Sequence, residues 1–132
     1  DDLAWVLDFD VANNQLTATG PSRPSSEAMT HGQIYHGLAA INAVIHIHSP
    51  HIWRQAQALQ LPMTAGFARY GTPQMAHEVE RILEADPGAT QGAFVMGGHE
   101  DGVVSYASDI NTAGELLLKL QARAEPSCKG QF

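Results

Sequence analysis

The stretch A-V-I-H-I-H-S-P-H-I-W, residues 43–53, runs from apolar residues into three histidines within six positions and then a Ser-Pro pair. β-Branched residues alternating with imidazoles predict a strand, on which successive side chains point to opposite faces. His46 and His48 then share one face, about 7 Å apart along the backbone, while Ala43, Ile45 and Ile47 take the other. Ser49 is a good N-cap and Pro50 suits the first helical position, so the strand passes directly into a helix, with His51 in its first turn. A strand that runs without a loop into a helix points to an α/β or α+β fold with helices packed on a sheet.

The rest of the chain follows the same alternation. Upstream, Leu3–Phe9 and Gln15–Ala18 flank D-V-A-N-N, whose Asn13-Asn14 pair suits a turn, so a hairpin is expected. After the loop G-P-S-R-P-S-S-E, Pro24 with Ser25 or Ser26 signals a helix start, with Glu27 in the first turn and an end near Gly37. The strand Ile41–His48 follows. The next helix is expected to stop at Leu61-Pro62, because the residue before a proline is pushed out of the helical region. Thr72-Pro73 opens another helix with Met75, Val79, Ile82 and Leu83 on one face. G-A-F-V-M and V-V-S-Y-A read as strands around G-G-H-E-D-G, and Ser108 or Asp109 caps a last helix before the tail E-P-S-C-K-G-Q-F. The expected order is ββαβααββα.

With 132 residues, 44% hydrophobic and 16% charged, the chain can build one core, so residues 1–132 are read as a single domain. A net charge of −7 with the cations scattered argues against nucleic acid and anionic membranes as partners. One cysteine, Cys128, cannot close an internal disulfide, and a cytoplasmic setting is expected. No apolar run reaches the roughly 18 residues of a membrane span. The chain opens at Asp1 without Met or a signal-like segment, as a processed, truncated or partial chain would.

Two imidazoles on one strand face can close on a metal ion with bonds of about 2.0–2.1 Å, or can be polar tips bonded to loop carbonyls. His99, just after a second apolar strand, favours the metal, because a loop there can lean over the same sheet end. Three histidines and one carboxylate form a usual catalytic zinc inventory. Glu27 is the candidate carboxylate, against the plainer reading of a surface acid at a helix start. His31 lies on the same helical face as Glu27, where it can act as a partner behind the ligands. His36 and His77 read as exposed. H-I-H-S-P-H approaches the ligand run of metallo-β-lactamase-like hydrolases, but Pro50 stands at the aspartate position and cannot ligate. A cupin needs a glutamate soon after His-x-His, and none follows.

R-P-S-S-E-A-M-T-H-G-Q-I-Y-H-G-L-A-A-I-N-A-V-I-H-I-H-S-P-H-I-W (23–53) and G-T-P-Q-M-A-H-E-V-E-R-I-L-E-A-D-P-G-A-T-Q-G-A-F-V-M-G-G-H-E-D-G-V-V-S-Y-A-S-D-I-N-T-A-G-E-L-L (71–117) resemble the class II aldolase/adducin family. That family includes L-fuculose-phosphate aldolase and L-ribulose-5-phosphate 4-epimerase. The resemblance implies a three-layer α/β/α sandwich with a mixed, largely antiparallel central sheet. It implies zinc, or another divalent transition metal, held by Glu27, His46, His48 and His99, with Glu27 as the catalytic base. It implies a homo-oligomer, commonly a tetramer, and a small hydroxy-carbonyl substrate, a sugar or sugar phosphate, cleaved through a metal-stabilised enediolate. Epimerase, dehydratase and decarboxylase branches share that site, and adducin heads keep the fold as non-catalytic interaction modules. Two departures stand out: nothing before Leu3 supplies the family's N-terminal phosphate-binding Gly-Asn and Ser loop, and Glu100 and Asp101 separate His99 from Gly102, where Asp101-Gly102 can form a turn. The tyrosines that assist protonation in family aldolases have only Tyr70 as a nearby match, which reads as structural.

Overall fold

In a computed structural model, which describes residues 2–126, the chain forms a mixed α/β fold around one mixed four-stranded sheet. The expected tail from Ser127, with Cys128, lies outside the described residues. Strands β1 (Trp5–Asp10) and β2 (Gln15–Thr19) form the hairpin as a separate antiparallel pair. Helix α1 (Ala28–Gly37), strand β3 (Ala43–His48) and helix α2 (Pro50–Arg54) follow. Then come β4 (Met63–Thr64), α3 (Pro73–Glu84), β5 (Gln91–Met96), β6 (Gly102–Ala107) and α4 (Ile110–Ala124).

The sheet order is β3-β6-β5-β4, antiparallel at β3/β6 and β5/β6 and parallel at β4/β5. Every residue of β6 is buried, which its run of Val, Ser, Tyr and Ala permits on both faces. On one face Phe94, Met96, Val104 and Tyr106 pack with Ile34 and Leu38 of α1 and with Met75, Val79, Ile82 and Leu83 of α3. On the other, Ala93, Val95 and Val103 pack with Ile52 and Ala56, and with Leu117 and Leu120 of α4. The register pairs His46 with Val104 and His48 with Gly102. Both histidines therefore lie on the α1 side of the sheet, and Ile45 and Ile47 on the α4 side.

The capping expectations hold where the cap is local. Ser49 Oγ accepts the Ile52 N–H, Thr72 Oγ1 the Met75 N–H, and Asp109, chosen over Ser108, the Thr112 N–H. Several bounds differ, and one element is new; strand β3 starts at Ala43 instead of Ile41. Helix α1 starts at Ala28, because Ser25 Oγ accepts the Glu27 N–H in a turn and Glu27 itself becomes the N-cap. Helix α2 ends at Arg54 instead of Leu61, and the chain continues in turns to Gln60, whose φ of 57° is left-handed. Strand β4 was not expected: at two residues it is too short to show a period, and its pairing with β5 alone defines it. The hairpin rests on α1 where Gly32 lacks a side chain, since a Cβ there would meet the Phe9 ring at 2.8 Å.

Candidate metal centre

Three elements deliver the candidate ligands. β3 carries His46 and His48, the turn between β5 and β6 carries His99, and the N-cap of α1 carries Glu27. One ring nitrogen from each histidine lies within 4.8 Å of the others. The ring centroids are 5.2 Å apart for His46 and His48, 5.3 Å for His46 and His99, and 4.7 Å for His48 and His99. The β5/β6 turn is fixed from two sides: the His99 N–H donates to the Met96 carbonyl at 3.1 Å, and the Ser49 N–H, next to His48, donates to the Asp101 carbonyl at 2.8 Å. Asp101 takes a left-handed φ of 66° to close that turn, so the residue expected to form a turn with Gly102 does so by its own backbone.

Glu27 is buried, at 6% exposure, where the sequence allowed a surface acid. Its Oε1 stands 3.3 Å from His99 Nδ1. Neither Glu27 oxygen makes a well-formed hydrogen bond, and His46 Nε2 and His99 Nδ1 are likewise buried without a partner. Buried polar atoms are nearly always paired, and leaving one unpaired costs about 1–3 kcal/mol. The mutual spacing within 4.8 Å holds for His46, His48 and His99, Glu27 joins them through its 3.3 Å approach to His99, and these unpaired atoms mark a place where something else supplies the partner. Tetrahedral bonds of about 2.1 Å put neighbouring ligand atoms about 3.4 Å apart, which the gap between Glu27 and His99 matches. The widest imidazole separation, up to 4.8 Å, must draw in by about 1.4 Å to reach that spacing. A donor set of three imidazoles and one carboxylate fits a divalent transition metal.

The electrostatics keep these groups ready to ligate. Burial, followed by the neighbouring His99, His48 and His31, lowers the His46 pKa to about 4. Burial and then His48 lower His99 as well. Neutral imidazoles are the form that binds metal. Burial pushes the Glu27 carboxyl up, opposed by the Thr30 hydroxyl and by His48. His31, on the same helix, is lowered by burial and lies close enough to act on His46, so it stands behind the ligands as the sequence allowed. His36, His51 and His77 are exposed, and His77 pairs with Glu80 at 3.8 Å.

Two features escaped the sequence. The Tyr70 ring lies 4.6 Å from the His99 ring, tilted by 45°, so it is part of the site's wall. A cleft of about 790 Å³ lies between β2 and the loop before α1, with Arg23, Ser25, Ser26 and Gly71 among its lining residues and none of the four candidate ligands. Both depend on loops that meet only in three dimensions, and no local spacing announces them.

Neither a search of curated proteins nor a search of solved structures returned a match. A sequence profile described as the class II aldolase and adducin N-terminal domain matches residues 2–127, nearly the whole chain, and the matched stretch includes His46, His48 and His99, which the fold gathers within 4.8 Å of one another. The chain belongs to the class II aldolase and adducin family.

Proposed function

We propose that this chain is a metal-dependent aldolase-type lyase that acts on a small hydroxy-carbonyl compound, with His46, His48, His99 and Glu27 as the metal ligands. The observation that carries this reading is the convergence of three imidazoles and a buried carboxylate whose facing atoms lack a well-formed hydrogen bond. A divalent metal, zinc by preference, would polarise the substrate carbonyl and stabilise the enediolate formed when a neighbouring C–H or C–C bond breaks.

The chain's own residues do the rest. Burial favours the neutral form of His46 and His99, and imidazole ligands bring no charge of their own, so the site keeps its positive charge for the substrate oxygens. Burial raises the Glu27 pKa above the ordinary carboxylate value, which suits a group that takes a proton from carbon and returns it. Arg23, Ser25 and Ser26, in the loop that leads to Glu27, line a cleft and suit an oxygen-rich substrate. Epimerisation, dehydration and decarboxylation share the first proton transfer, so substrate identity separates those branches. A non-catalytic adducin-like module has no use for four orphaned ligand atoms. With it we propose the family's α/β/α layering, in keeping with apolar cores on both sheet faces. We also propose a homo-oligomer, in keeping with exposed Leu3, Trp5 and Leu7 on the hairpin, which sedimentation velocity checks.

The direct test is metal analysis of protein purified without a histidine tag. One equivalent of a divalent transition metal is expected in the wild type, and near-complete loss in His46→Ala and His48→Ala. Full occupancy in both variants would overturn the assignment.

A further inference from the structure

We propose that Tyr70 is a positioning residue for His99, whose ring it holds in the metal-binding orientation and whose metal-loaded form it favours. The inference rests on the metal centre proposed above and adds to it a residue that is not a ligand.

Metal-bound histidines normally use the second ring nitrogen to hydrogen-bond a carboxylate or carbonyl, which fixes the plane of the ring. In His99 the nitrogen that faces Glu27 and the proposed metal position is Nδ1, and no hydrogen bond among the described residues holds the ring through its other nitrogen. What touches the ring is aromatic. Its neighbours are His46 at 5.3 Å, His48 at 4.7 Å and Tyr70 at 4.6 Å, and Tyr70 is the one that is not itself a candidate ligand. That separation and the tilt of 45° fall within the range of favourable ring pairs. An imidazole that gives its lone pair to a divalent cation becomes electron-poor, and the electron-rich phenol face then attracts it more strongly than before. The contact therefore strengthens on metal binding.

Tyr70 is held at this place by its loop and not by burial of its own side chain, which is 50% exposed. The loop from Thr64 to Thr72 is fixed at several points. Glu78 Oε1 accepts the Ala65 N–H at 2.5 Å, Thr64 Oγ1 accepts the Gly97 N–H at 3.0 Å, and Thr72 Oγ1 donates to the Arg69 carbonyl at 2.5 Å. Gly71, beside Tyr70, lies against Ser26, beside Glu27. One loop thus touches the turn that presents the acid and the ring of a histidine that faces that acid.

The test uses cobalt(II) alone as the probe, with the visible absorption of the bound ion and its affinity as readouts, on wild type, Tyr70→Ala and Tyr70→Phe. Tyr70→Ala is expected to weaken cobalt binding by about 3- to 30-fold and to change the band shape. Its metal-free melting temperature should match the wild type. Tyr70→Phe keeps the ring and should restore both the affinity, within about twofold, and the spectrum. Wild-type affinity and spectrum in Tyr70→Ala would overturn the inference while leaving the metal centre intact. Equal losses in Tyr70→Phe would assign the effect to the hydroxyl and also overturn it. A metal-free protein destabilised by Tyr70→Ala as much as its binding is weakened would make the role structural. Failure of the wild type to bind cobalt at all would remove the metal centre and this inference with it.

Discussion

At the scale of the residue, Glu27 concentrates the conflict that the site resolves. It sits at a helix N-cap yet makes no side-chain capping bond, and it is buried at 6% exposure beside three imidazoles. Burial raises its pKa above the ordinary 4.5, so folding favours the protonated form. The sign follows: its contribution to stability is full below about pH 4.5 and is lost as pH rises through the folded value. At neutral pH the metal-free protein therefore carries a destabilising acid, and Glu27→Gln, nearly the same shape without the charge, should melt higher than wild type when metal is removed. The same variant keeps an oxygen for the metal and loses the proton acceptor. Metal content should largely stay, while exchange of the proton alpha to the carbonyl of simple hydroxyketones in heavy water should fall by about 10²–10⁴-fold. Undiminished exchange in Glu27→Gln would move the base to another group. Higher stability bought at the expense of activity is what a residue placed for chemistry produces.

At the scale of the element, the site depends on how the β5/β6 turn and the loop from Thr64 to Thr72 fit together. A Cβ on Gly98 would come to 2.5 Å from the Ala68 carbonyl and 2.9 Å from that of Gly66, both backbone atoms that cannot swing aside. Gly98→Ala should therefore displace that loop and destabilise the protein by about 1–3 kcal/mol, measured by urea unfolding. It should also weaken metal binding, since His99 is the next residue. This dependence explains what the sequence could and could not reveal. The pairing of His46 with His48 is legible because strand geometry alone puts alternate side chains on one face. Helix α3 is legible because Met75, Val79, Ile82 and Leu83 recur at helical spacing, and all four are buried. Adding His99 drew on its place just after a second apolar strand, but that this loop reaches the same sheet end depends on the sheet order, with β6 between β3 and β5, which no local pattern gives. The burial of Glu27 was hidden, because a glutamate after two serines has the signature of a surface helix start. The Tyr70 contact and β4 were hidden for the same reason: both exist only through pairing with residues about thirty positions away.

At the scale of the whole molecule, metal and protons compete for one set of groups, and stability should record the competition. His46 is lowered from 6.5 to about 4 in the folded chain, so between those values the unfolded chain binds the proton and the folded chain resists it. Its contribution is full above pH 6.5 and is lost as pH falls toward 4, and His99 and His31 act in the same direction. Glu27 acts in the opposite direction, so Glu27→Gln should make the loss on acidification steeper in metal-free protein. A metal that binds only the folded chain adds stability by mass action, about 2.7 kcal/mol when free metal is a hundred times the dissociation constant. For a domain of 132 residues that corresponds to a rise of about 10 °C in melting temperature. Zinc titrated into metal-free wild type at pH 7.5 should give such a rise, and a chelator should reverse it. The same titration at pH 4, near the folded value of His46, should give a smaller rise, because protons then compete with the metal for the imidazoles of the folded chain. His46→Ala should show no zinc-dependent rise at either pH, and its metal-free melting temperature should vary less between pH 6.5 and pH 4 than that of the wild type. A zinc-dependent rise of equal size at both pH values would mean that the metal binds groups other than these imidazoles.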